Sequence, residues 1–169
     1  MLIKINNLKE GTHLYKLDEP IEEIGLEEPF FGKVNISLYL QKLHNQIVLE
    51  TELQLNARFE CDRCISDFNN TLEAKYNTVY LFGDNPDEEN ESLNVTYLPA
   101  DASEIVLDND IRDYALLAVP MKKLCKDDCN GLCPGCGKNL NEGSCDCNDH
   151  EIDPKWLPLK DLKNKLDTN

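Results

Sequence analysis

The sequence is short of basic charge and of histidine, and it has no long apolar run. Its 17 lysines and arginines face 32 acidic residues, a formal net charge of −15. A chain so charged repels polyanions at long range, which disfavours broad binding along a phosphate backbone and makes a basic partner protein the better electrostatic match. No stretch approaches the roughly 20 apolar residues that a membrane-spanning helix needs. The opening "MLIKINNLKEGTHLY" lacks the basic, then apolar, then small-residue order of a secretory signal. Of three histidines, His13, His44 and His150, none stands in a metal-hydrolase spacing. Catalytic zinc, which keeps one position open and draws on His or Glu, is therefore not expected. A P-loop, a dinucleotide fingerprint and a serine nucleophile motif are also missing. No small-molecule substrate is evident. The expected address is the cytoplasm, where the sequons at Asn35, Asn69, Asn90 and Asn94 carry no meaning.

What the chain does have is cysteine: eight in 169 residues, six of them between Cys125 and Cys147. In a reducing compartment such spacings point to metal binding or redox chemistry rather than disulfides. "CPGCG" supplies Cys133 and Cys136 with glycines easing the turn, and "CDC" supplies Cys145 and Cys147, so these four thiolates can close a compact tetrahedral site. Cys125 and Cys129 are then left a pair short, as are Cys61 and Cys64 in "ECDRCI" upstream. A second zinc site from Cys61, Cys64, Cys125 and Cys129 completes the set, about two Zn2+ per chain. Other divisions exchange Cys129 or Cys133, or put His150 in place of Cys147. Iron–sulfur ligation would use the same thiols, and a thiol-disulfide redox role for the Cys61/Cys64 pair is the alternative function. "CDRC" runs into another strand, however, and not into the helix N-terminus that tunes a redox thiolate.

Around the cysteines stand Arg63, Lys122, Lys123, Lys126 and Lys138. They read either as a small patch for nucleic acid or another partner, or as compensation for the net charge of about −2 that each four-thiolate zinc site carries. The acidity of the rest of the chain favours compensation.

Periodicity predicts an α+β fold, mainly an antiparallel β meander or a small barrel-like sheet, with one packed helix and a C-terminal Cys-rich zinc-binding segment. "VNISLYL" alternates from Val34 to Leu40, "IVLETELQLNARFEC" alternates through Phe59 after a polar hairpin, and Leu72 to Phe82 share a face at every second residue. "GDNPDEENES" reads as a solvated loop, "LNVTYLP" as a short fourth strand. Ile111, Tyr114, Ala115 and Ala118 fall at helical spacing before Pro120. Asp108 and Asp110 ahead of them suit capping better than a calcium loop. The expected domains are a β body with its helix over 1–124, a zinc-binding segment over 125–150 and an amphipathic tail over 151–169, the tail helix capped by Asp153.

The stretches "FECDRCISDF", "EIVLDNDIRDYALLAVPMKKLC" and "CNGLCPGCGKNLNEGSCDC" resemble the YceD family of large-subunit ribosomal RNA accumulation proteins, from about Phe30 to Trp156. The resemblance implies a bacterial or organellar cytosolic factor that supports ribosome biogenesis, and with no catalytic motif in the chain the expectation is a non-enzymatic one. Its partners would be ribosome assembly components, either a basic ribosomal protein or a restricted patch of large-subunit rRNA. The cysteines carry over as metal ligands and no catalytic residue carries over.

Overall fold

The computed structural model describes residues 1–83, 95–147, 155 and 159. The chain divides into two compact units, Met1–Cys61 with Ser66–Cys125, and Asp62–Ile65 with Lys126–Asn169. The first holds β1 (Leu2–Lys4), β2 (Gly11–Pro20), α1 (Ile21–Ile24), β3 (Phe30–Lys42), β4 (Gln46–Glu60), β5 (Asp67–Phe82), β6 (Val95–Leu98), β7 (Glu104–Val106) and α2 (Asp108–Leu117). β2 to β6 form one sheet in chain order, while β1 and β7 pair as a separate two-stranded sheet. The large sheet is open, an antiparallel meander through β5 with β2 and β6 at its edges, and it does not close into a barrel.

Alternation builds this sheet. In register across three strands, Leu40, Leu49 and Thr78 form one row, Leu38, Thr51 and Tyr76 the next, and Val34, Leu55 and Leu72 a third. All nine are buried. Fully burying one such aliphatic side chain contributes about 1.5–3 kcal/mol. Successive residues point to the opposite face, where Glu50, Glu52, Gln54, Glu73 and Lys75 meet solvent or each other. A bulge between Phe31 and Val34 admits Gly32 at φ +81° before pairing with β4 resumes.

α2 lays Ile111 and Ala115 into the core, and its Tyr114 stacks on Tyr76 of β5 at 3.8 Å with rings 3° apart. Asp108 and Asp110 lie in its first turn, where carboxylates favour the helix dipole, but neither caps it. The N-cap is Leu107, without a side-chain hydrogen bond. Asp108 instead pairs with the Met1 ammonium, and Asp110 accepts a 3.4 Å hydrogen bond from Tyr80 Oη. The last strand of the five-stranded sheet, β6, runs parallel to β5. A parallel return needs a connection of about a dozen residues, which the acidic stretch after Phe82 supplies. Most of that stretch lies outside the described residues, as do His150 and all of the expected tail helix apart from Lys155 and Leu159. No helix among the described residues is long and apolar enough to cross a membrane.

Candidate metal centres

β4 and β5 are joined by the turn 61–66, "CDRCIS", closed by the Cys61 N–H donating to Ser66 C=O at 3.0 Å. Ile65 takes a left-handed φ of +58° within it. Cys61 and Cys64 are both buried. Past α2, the Cys125 backbone N–H points at Cys61 Sγ, 3.4 Å away.

In the second unit a tight turn carries Cys133 and Cys136. The Cys133 N–H donates to Lys138 C=O at 2.8 Å and the Gly137 N–H to Cys133 C=O at 2.8 Å, while Leu132 and Asn139 form an isolated bridge. The Gly135 N–H lies 3.4 Å from Cys133 Sγ. Gly131, at φ +74°, runs so close to Arg63 that an added Cβ would stand 3.1 Å from the Arg63 carbonyl oxygen. Arg63 in turn donates from Nη1 to Cys129 C=O at 2.8 Å.

The eight sulfurs gather into two sets, Cys61, Cys64, Cys125, Cys129 and Cys133, Cys136, Cys145, Cys147, with all members of each set within 4.8 Å of one another. Four thiolates about 2.3 Å from one zinc ion stand roughly 3.8 Å apart. A small contraction brings either set to that geometry, so each can hold a metal ion. Backbone N–H groups aimed at the sulfurs are the usual outer-shell support for thiolates. Protonation in the second set is shared unequally. N–H groups of Cys136 and Gly135, together with the Cys145 thiol, hold the Cys133 thiol down to about 6, whereas hydrogen bonding to Cys136 and Cys133 pushes the Cys147 thiol up to about 12. The first thiolate forms readily and the last proton leaves only when a cation takes its place.

The five cations are placed singly. Arg63 holds the Cys129 carbonyl, Lys138 Nζ the Ser144 carbonyl at 2.7 Å, and Lys126 approaches Asp128 at 3.8 Å. In the first unit Lys123 lies over the Phe59 ring at 5.5 Å and Lys122 is exposed. His13 and His44 sit at the surface, on Lys9 C=O and Glu10 respectively. The outer face of the sheet carries a shallow hollow of about 400 Å3 lined by Asn35, Ser37, Glu52, Gln54, Glu73 and Lys75. Spacing did not single out this face, nor the support that Arg63, Gly131 and Asn141 give to Cys129. The glycine inside "CNGLC", Gly131, was the available sign of a close backbone approach.

Residues 49–163 match the family described as "Large ribosomal RNA subunit accumulation protein YceD". The chain belongs to this family. A YceD homolog described as a chloroplastic large ribosomal RNA subunit accumulation protein of Zea mays is 37% identical over 57 residues, 33% of this chain and 20% of that protein. An uncharacterized protein of Mycobacterium tuberculosis (strain ATCC 25618 / H37Rv) is 31% identical over 104 residues, 61% of this chain and 49% of its own length. One from Mycobacterium leprae is 23% identical over 152 residues, 88% of this chain and 69% of its own. The chain thus spans about half the length of the M. tuberculosis relative. No solved structure matches it. The YceD match takes in all eight cysteines, and the name of the family ties it to large-subunit ribosomal RNA.

Proposed function

We propose that this protein is a non-enzymatic factor supporting accumulation of large-subunit ribosomal RNA and ribosome assembly in the cytoplasm, with zinc in both thiol sets as a structural staple. The observation that carries the reading is the collection of all eight thiols into two sets of four in a chain of the YceD family. Four-thiolate donor sets select soft ions, and paired knuckles with glycines and N–H donors favour zinc. Full thiolate sets leave no open position for a reacting water, so the metal stabilises the fold and does not catalyse. The redox alternative is weakened by the burial of Cys61 and Cys64, since exchange needs an accessible thiolate.

The partner that fits the charge is a basic ribosomal protein, shielded by the acidic chain before it reaches RNA. The net charge of −15 and the carboxylates on the outer sheet face support this choice. Four of the five cations near the cysteines already serve the chain's own carbonyls, carboxylates or rings, which supports compensation over RNA contact. Purification of the tagged protein from cells at moderate salt tests the reading. Recovery of a basic large-subunit protein is expected. Recovery of naked large-subunit RNA that survives removal of ribosomal proteins would contradict it. Metal analysis under reducing conditions should give about two zinc per chain, and a reversible Cys61–Cys64 disulfide with little metal would overturn the staple.

A further inference from the structure

Asn141 lies in the loop between Cys136 and Cys145, yet its side chain serves Cys129. Its Nδ2 donates to Cys129 Sγ at 3.3 Å and to Asn139 Oδ1 at 2.8 Å, while its Oδ1 accepts the Asn130 N–H at 2.9 Å. The Asn130 N–H needs an acceptor, so it fixes which end of the amide faces the sulfur. The Asn141 N–H returns to Asn139 Oδ1 at 3.0 Å, and Leu140 N–H to Gly131 C=O at 2.9 Å. A loop whose two ends belong to one thiol set therefore presents a donor to a sulfur of the other.

We propose that Asn141 is a positioning residue that couples the two metal sites: with the Cys133 set filled, the loop is held and its amide supports the Cys129 thiolate. Emptying the Cys133 set releases the loop and loosens the metal in the Cys129 set. An amide N–H stabilises a thiolate more than a thiol, so the bond favours the metal-ready form. Outer-shell partners of this kind are worth about 10–100-fold in metal affinity, which bounds the coupling. Linkage makes it reciprocal: filling either set tightens the other by the same factor. The inference rests on the zinc reading above.

The test uses the full chain loaded with zinc, challenged by a chelator, with cysteine alkylation mapped by mass spectrometry as each set opens. Asn141→Asp keeps an acceptor for the Asn130 N–H and loses the donor to sulfur; Asn141→Leu loses both. Both variants are expected to bind two zinc, with Cys61, Cys64, Cys125 and Cys129 alkylated roughly 10-fold faster than in the wild type. The Cys133→Ser, Cys136→Ser double variant should show the same acceleration at those residues, and adding Asn141→Leu should change it no further. Wild-type rates in both Asn141 variants, or an Asn141→Leu effect that multiplies in the triple variant, overturn the coupling while leaving the zinc reading intact. A wild-type chain with fewer than two zinc overturns the zinc reading and the coupling with it.

Discussion

Replacing Gly131 by alanine tests whether the close pass of backbone beside Cys129 holds a metal site in shape. At φ +74° an alanine loses about 1–2 kcal/mol relative to glycine. Its Cβ would also stand 3.1 Å from the Arg63 carbonyl oxygen, a backbone atom that moves only if the turn moves. Overpacking of this order costs a further ~1–2 kcal/mol. The expected total is roughly 2–4 kcal/mol of local stability. Gly137 supplies the control, since its φ of +73° carries the same conformational cost while nothing lies within 4 Å of an added Cβ. The two alanine variants should differ by at least about 1 kcal/mol, roughly five-fold in metal retention. Retention would be read from chelator competition, alongside the melting temperature. Equal losses in the two variants, or a larger loss at Gly137, would refute the argument from close approach.

Replacing Cys133 and Cys136 together by serine should lower bound zinc from about two per chain to about one or below and depress the melting temperature, because structural zinc contributes folding energy directly; an unchanged metal content would count against that set. Acidification should release metal with a slope steeper than one proton. Several thiolates must be reprotonated together for the ion to leave; release with a slope of one proton or less would contradict this. Burial raises the Asp110 carboxyl pKa, so its ionisation costs stability: the favourable term is present below the unfolded value near 4 and lost as pH rises through the higher folded value. Asp110→Asn should remove that part of the pH slope and stabilise the protein at pH 7 in urea melts, and an unaltered slope would exclude Asp110 as its source. Ile111→Ala, at a fully buried position on α2, should cost about 2–5 kcal/mol in the same melts, and a loss under 1 kcal/mol would mean that α2 is not packed as described.

The three long strands and α2 were legible because each presents one buried face, and burial on one face leaves a period of two or 3.6 in the sequence. β2 left no such trace. It is an edge strand whose inward residues, such as Tyr15 and Leu17, are only half-buried, while Leu14 beside them is exposed. β1 and β7 have three residues each and α1 has four, too few to show a period. The direction of β6 was illegible for another reason, since alternation is the same for parallel and antiparallel pairing. At the metal sites, spacing identifies which thiols can share an ion. It is silent on what supports them, because Asn141 and Arg63 reach Cys129 through local turns that no pattern of residue types distinguishes from an ordinary polar loop.

The turn 61–66 has a consequence along the whole sheet. β4 and β5 pair over Gln46↔Leu81 to Glu60↔Asp67. A slip of two residues in that pairing would leave every apolar side chain on the inner face, so alternation alone does not choose among such registers. The length of the turn does, and the Cys61–Ser66 hydrogen bond and the left-handed Ile65 set that length. A metal bridging Cys61 and Cys64 would add a further constraint to the same turn, and so to the alignment of the two central strands along their whole length.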